Sequence, residues 1–264
     1  MTYAIGGDVA WYLYLAAIAS GFLCGFINTL AGSGSLVTLP TLLFMGLPAN
    51  VANGTNRIGV ALQSAVATGS FRQQGVLNLR QGLALSVPTA IGSLVGAHIA
   101  LNIDEQMMRR TIGALMVVML IVMLVEPKRW LKGRSGGVRP LDWKLAALFF
   151  AIGVYGGFIQ VGVGVLLLAG LVLGAGYDLV RANGVKVLIV LFQSLAALIV
   201  FVLNDQVVWS IGLVMALGTM PGAWVAARMA VKRGAGFVRW ILVAVVSVAA
   251  LNLLGLFDLV FRLF

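Results

Sequence analysis

Apolar residues fall in ten runs separated by short polar breaks. They cover roughly Val9–Leu30, Leu36–Met45, Asn53–Phe71, Leu79–Leu101 and Met107–Val125, then Trp143–Val161, Val165–Ala175, Val180–Leu203, Val207–Val231 and Phe237–Leu254. Most reach or approach the ~20 residues that carry a helix across a bilayer core. The alternating pattern of an outer-membrane barrel is absent, and a lipid-embedded backbone that is not a barrel must be helical. The pattern predicts an all-α, polytopic membrane helical bundle. Leu36–Met45 and Val165–Ala175 are too short for ordinary spans and read as partial or broken ones.

These short runs are each the second of five. Sliding the sequence by 130 positions places "ANG" (Ala52–Gly54) on "ANG" (Ala182–Gly184) and "LQSAVA" (Leu62–Ala67) on "FQSLAA" (Phe192–Ala197). Gly32, Gly34, Gly46, Gly82 and Gly92 land on Gly162, Gly164, Gly176, Gly212 and Gly222, and Arg109 lands on Arg239. Matched Gly, Asn and Gln in one gapless register signal a duplication. The chain then divides into a first membrane repeat (1–125), a basic cytoplasmic linker (126–144) and a second membrane repeat (145–264). The linker carries Lys128, Arg129, Lys132, Arg134, Arg139 and Lys144 against Glu126 and Asp142. With it inside, an inverted arrangement puts Arg72, Arg80, Lys232 and Arg233 inside, and Asp104, Glu105 and Asp205 outside; a parallel one puts Lys232 and Arg233 outside. Charge therefore favours two inverted five-segment repeats, with both termini outside.

Glycine pairs interrupt the short runs at matching places: "AGSGS" (Ala31–Ser35) and "VGVGV" (Val161–Val165). Gly32, Ser33, Gly34, Ser35, Gly162 and Gly164 are candidate cavity-lining positions. Irregular backbone at membrane depth is tolerated where it lines a cavity or is buried in protein, and broken helices in such repeats bind substrate near the midplane. Close helix packing through small residues is the competing explanation. In the next run, Asn53, Asn56, Arg57, Gln63 and Ser64 share one helical face, and Asn183, Lys186, Gln193 and Ser194 repeat it. A base inside a span costs about 2.5–3.5 kcal/mol on insertion scales and marks function or a partner. No acidic residue lies inside a span to neutralise Arg57 or Lys186, so an anionic ligand is the expected counter-charge; snorkelling toward the interface is the alternative. Pro88 and Pro221 are expected to kink the fourth run of each half.

Composition sharpens this picture. Mean hydropathy is +1.05 and only 10% of residues are charged, too few to cover a water-soluble domain. The net charge of +10 gathers beside spans, which is the positive-inside pattern and not a nucleic-acid surface. The N-terminal run lacks the basic start of a secretory signal and reads as a retained span. One cysteine, Cys24, excludes an internal disulfide, and the lone His98 has no companion at ligand spacing. No metal site, cofactor motif, Walker A sequence or catalytic constellation is present, so an enzyme is not expected. The absence of a buried carboxylate points to uniport, or to coupling through the substrate's own protonation.

In "GFINTLAGSGSLVTLPTLLFMGLPANVANGTNRIG", "GVYGGFIQVGVGV" and "ANGVKV" the chain resembles the TauE/SafE family, the sulfite-exporter-type membrane permeases. The likeness covers almost the whole length. It implies export, or at least passage, of sulfite or small organosulfonates across the bacterial inner membrane. The expectation is a secondary transporter of small sulfur-containing anions, with Arg57, Lys186, Asn53, Asn56, Gln63, Asn183, Gln193 and the glycine breaks as its binding site. Two other readings are an anion channel-like pore and a non-transporting scaffold subunit. The lipid bilayer and a small anion are the expected partners, and a homodimer is compatible with the sequence.

Overall fold

The computed structural model describes residues 11–125 and 138–253, and within them every regular element is helical. In chain order these are α1 (Trp11–Leu30), α2 (Ser35–Phe44), α3 (Ala49–Gln73), α4 (Leu79–Leu101), α5 (Glu105–Val125), α6 (Trp143–Phe158), α7 (Val163–Ala169), α8 (Leu179–Leu203) and α9 (Trp209–Leu253). The second short run is α7 extended by a π-helical turn over Gly170–Gly174. Residues 1–10 and 254–264, on which the placement of both termini turns, and most of the linker (126–137) lie outside the described residues.

Local sequence sets the helix ends. The Asn78 side chain accepts the Gln81 N–H at 3.2 Å to start α4, and Asp142 accepts the Leu145 N–H at 2.8 Å to start α6. Asp178 does the same for Val180 and Arg181 at the start of α8. At Gly46 (φ +86) α2 ends in a left-handed stop: the Leu47 N–H bonds the Leu42 carbonyl and the Gly46 N–H the Leu43 carbonyl. The two prolines expected to kink the fourth run of each half lie inside helices. Both α4 and α9 run on through Pro88 and Pro221, and the non-helical residue in α9 is Gly234 (φ 72). A proline removes one ladder bond, whereas Gly234 turns the backbone itself.

Residue pairs across the interfaces give the helix directions. Along α1 and α9, Gly21 packs on Met215, and Gly25 on Thr219; along α4 and α6, Gly92 packs on Phe150, and Gly96 on Val154. Numbers rise together in both cases, so each pair is parallel. Likewise α3 runs parallel to α9, with Gly54 by Gln206 and Gly212 by Ile58, and α8 parallel to α4, with Gly82 by Leu188. On α3 and α8 the order reverses: Gly54 meets Phe201 and Gly184 meets Phe71. Thus α1, α3 and α9 point one way, and α4, α6 and α8 the other.

Four glycine pairs spaced by four residues make this packing. Gly21 and Gly25 face Gly218 and Gly222, and Gly92 and Gly96 face Gly153 and Gly157; a Cβ on any of the eight would run into backbone of the facing helix. Such contacts let helices associate in lipid, where no hydrophobic drive operates between them. Among the described residues, four helices are long and apolar enough to span: Tyr12–Leu30, Leu79–Leu101, Leu179–Leu203 and Trp209–Gly234. They expose apolar side chains outward, among them Leu15, Val87, Ile91, Ile199 and Leu217, a girdle that suits lipid and not water. At 25 residues α3 is long enough too, but its polar stripe keeps it out of that group. It lies in the centre instead, with every residue from Val51 to Ala61 buried.

The connections lie on two faces. One carries Arg72, Arg80, Arg139, Lys144, Arg181, Lys232 and Arg233; the other carries Asp104, Glu105 and Asp205, with Arg109 and Arg110 one turn into α5. The positive-inside rule makes the first face cytoplasmic in a bacterial inner-membrane protein. Gly96→Ala is expected to cost about 1–3 kcal/mol through overpacking against Val154. Gly69→Ala, where nothing lies within 4 Å, should be neutral or gain up to about 1 kcal/mol. Thermal unfolding in detergent, followed by tryptophan fluorescence, separates the two.

Candidate functional site

The α1–α2 and α6–α7 breaks meet. Gly32 (φ +79) and Gly162 (φ +67) hold left-handed backbone that a side chain would strain. The Gly164 N–H donates to the Gly32 carbonyl at 3.1 Å, and a Cβ at either residue would run into the other's backbone. After its break α2 turns back along α1: Gly34 packs on Cys24 and Asn28. The Thr38 hydroxyl bonds Cys24 Sγ at 3.6 Å and Asn56 Oδ1 at 2.7 Å, and Asn56 Nδ2 donates to Ser35 Oγ at 3.2 Å. Asn56 therefore braces α2 against α3.

A helix that stops inside the protein leaves its last carbonyls without amide partners. Here the predicted polar stripe supplies the donors. Arg57, 0% exposed, reaches the end of α6: Nη1 donates to the Gly156 carbonyl at 2.7 Å and to Gln160 Oε1 at 3.0 Å, and Nη2 to the Gly157 carbonyl at 2.8 Å. Asn53 Nδ2 donates to the Phe158 carbonyl at 2.8 Å, and its Oδ1 accepts from Arg57 at 3.4 Å. The guanidinium also stands over the Phe201 ring, 5.3 Å from its centroid.

Lys186, 1% exposed, does the same at the end of α1. Its Nζ donates to the Asn28 carbonyl at 2.9 Å, the Thr29 carbonyl at 2.8 Å and Asn183 Oδ1 at 2.7 Å. Those three bonds use all three ammonium donors. Each base thus sits in the half-charge of a helix C-terminus, which favours a cation. Neither snorkels. The counter-charge expected from a ligand is met in part by backbone carbonyls, acceptors that no side-chain pattern displays.

The rest of the stripe is buried and incompletely bonded. Ser33 Oγ, Arg57 Nε, Gln63 Oε1, Asn183 Nδ2, both amide atoms of Gln193 and Ser194 Oγ have no partner. Gln193 lies beside the α6 end, since a Cβ on Gly156 would occupy the space of its amide. Gln63 follows Arg57 on α3 by six residues, about 9 Å of helix. All the predicted polar side chains are therefore in the interior. The breaks contribute backbone rather than side chains, apart from Ser33 and Ser35. Sequence reasoning missed Gln160, Thr38, Tyr155 and Phe201. Gln160 was visible as the one polar residue directly before "VGVGV". The Tyr155 hydroxyl, which braces the break by donating to the Val161 carbonyl at 2.7 Å, had no such mark.

Arg57→Met leaves the Gly156 and Gly157 carbonyls without donors in a dry interior. It should lose at least about 2 kcal/mol of stability. Arg57→Lys, which keeps the charge but not the fork, should fall between it and the wild type. Unfolding midpoints in detergent decide this, and an unchanged Met variant would show that the end of α6 needs no donor from α3.

Known proteins place this arrangement. The chain is 29% identical to a probable membrane transporter protein, ORF9, of Sinorhizobium sp, over 94% of its own length and 95% of that protein. It is 28% identical to a probable membrane transporter protein of Haemophilus influenzae, covering 88% and 91% of the two chains. To the probable membrane transporter protein YfcA of Escherichia coli K12 it is 29% identical, covering 88% and 86%. No solved structure matches it. The family model described as sulfite exporter TauE/SafE matches residues 17–253, and the chain belongs to that family.

Proposed function

We propose that the protein is a secondary carrier that exports a small sulfur oxyanion, sulfite or an organosulfonate, from the cytoplasm. The observation that carries this reading is the set of buried, unbonded donors on the polar stripes that also carry the buried bases Arg57 and Lys186. Arg57 Nε, Asn183 Nδ2, Gln193 Nε2 and the Ser33 and Ser194 hydroxyls are all donors without an acceptor. Each such group costs about 1–3 kcal/mol when buried unpaired. An oxyanion supplies several acceptors and one or two negative charges. Among the described residues no carboxylate accompanies Arg57 or Lys186, so the interior keeps a net positive charge that an anion neutralises.

Alternating access follows if the halves form an inverted pair. Left-handed backbone recurs 130 residues apart, at Gly32 and Gly162, Gly46 and Gly176, and Gly75 and Asp205. The counterparts α3 and α8 pack antiparallel, and α1 and α6 point opposite ways. Each half's buried base holds the broken helix of the other half. Rocking one half against the other would release one helix end while keeping the second, which is the behaviour expected of broken-helix transporters.

Gln193→Leu gives a direct test, because the amide makes no bond within the protein and its loss should leave folding intact. In proteoliposomes loaded with sulfite, and separately with sulfoacetate, wild-type efflux should saturate and accelerate when the same anion is present outside. The variant should show a half-saturation concentration roughly fivefold to tenfold higher, the worth of about one hydrogen bond. Efflux no faster than from protein-free vesicles would remove the reading for these anions, and flux without saturation or counterflow would indicate a pore.

A further inference from the structure

The cytoplasmic face holds a cavity of about 510 Å³ that the interior cluster does not include. Three separate segments build it: Asn78, Arg80 and Gln81 at the start of α4, Arg139 and Pro140 on the strand of chain leading to α6, and Tyr177 before α8. Hydrogen bonds fix these segments to one another. The Arg139 N–H donates to the Ala175 carbonyl at 2.9 Å, and the Tyr177 hydroxyl to Gln81 Oε1 at 2.8 Å. Tyr177 is buried, with Leu85 and Leu145 beside it in the lining.

Two guanidinium groups therefore border a concavity whose lining, among the described residues, holds no carboxylate. The ion pairs among the described residues are Arg109 with Glu105 and Arg181 with Asp178, and neither involves Arg80 or Arg139. Each would be better placed with an anion between them. The cavity of about 350 Å³ on the opposite face, at the start of α5, has an acid, Asp104, as well as its one base, Arg110, in the lining. The positions 130 residues beyond Asn78 and Arg80 are Val208 and Ser210, and the acids Asp104, Glu105 and Asp205 lie on that side. A positive concavity with low-dielectric walls raises the local anion concentration, and an acidic face lowers it.

We infer that this cavity is a capture vestibule that binds the oxyanion head of the substrate on the cytoplasmic side before it enters the interior. The inference rests on the anion-carrier reading and extends it to one face. Fixed charges cannot drive net transport. They set how fast a dilute anion passes through that mouth, equally in both directions. Sulfonate and phospholipid headgroups share the chemistry recognised here, so the test must separate a free anion from a lipid.

The experiment is sulfite exchange in oriented proteoliposomes at concentrations far below half-saturation, with an impermeant salt added to one face at a time. Wild-type exchange should slow severalfold when ionic strength rises on the basic face and should not slow when it rises on the acidic face. The double variant Arg80→Gln, Arg139→Gln should exchange dilute sulfite about tenfold more slowly. It should lose the salt response and keep the saturating rate. Arg80→Lys with Arg139→Lys should recover most of the dilute rate, which a folding defect would not allow. All of this should hold in purely phosphatidylcholine vesicles. A double variant with wild-type dilute rates overturns the vestibule and leaves the carrier standing. An effect confined to vesicles containing phosphatidylglycerol overturns it in favour of a lipid site. Absence of saturable exchange in the wild type overturns the carrier reading and the vestibule with it.

Discussion

The structure depends on how two basic side chains are kept in its interior. Moving a base from water to a protein core costs several kcal/mol, which a nearby carboxylate usually offsets. Arg57 and Lys186 have none. Each is held by the carbonyl end of a helix that stops short: α6 for Arg57 and α1 for Lys186. The solution is reciprocal. Broken helices need donors and buried bases need acceptors, so each defect satisfies the other. Because every base sits on one half and its carbonyls on the other, the same bonds tie the halves together.

That exchange is only possible at short range, and glycine provides the range. The crossings of α1 with α9 and of α4 with α6 bring backbones so close that a single Cβ would collide. These pairs flank the central α3 and α8 and shield their polar stripes from lipid. The glycines of the two breaks serve differently. Gly32 and Gly162 allow left-handed backbone, and Gly32 and Gly164 touch, so the chain can turn where two helix ends meet. Close packing, one of the two explanations weighed from the sequence, is thus seen both at the helix crossings and where Gly32 meets Gly164.

Much of the architecture was legible because lipid punishes ambiguity. Apolar runs located the helices, and the polar residues of α3 and α8 stood out against them. The one-sided distribution of Arg and Lys matched the two faces that the helix directions produce. Less visible was anything carried by the backbone. The acceptors for Arg57 and Lys186 are carbonyls of Gly156, Gly157, Asn28 and Thr29, and no residue type advertises them. An anion was therefore expected as the counter-charge where backbone carbonyls in fact meet the two bases. Pro88 and Pro221 were expected to kink their helices; α4 and α9 continue through them, because a helix packed on neighbours tolerates the loss of one ladder bond. Gly234, in the polar gap between the Val207–Val231 and Phe237–Leu254 runs, is where α9 departs from helical geometry.

Using helix ends in place of carboxylates has a consequence for binding. A carboxylate would cancel its base and leave a neutral pair with little call on an anion. A helix C-terminus carries about half a charge, spread over several carbonyls. It makes the buried base tolerable without cancelling it. The interior is then stable enough to fold and still short of negative charge. The orphaned donors of Gln193, Asn183 and Ser194 around it cannot be relieved by the protein's own groups. Positive charge and hydrogen-bond donors are therefore both left partly unmet in the interior.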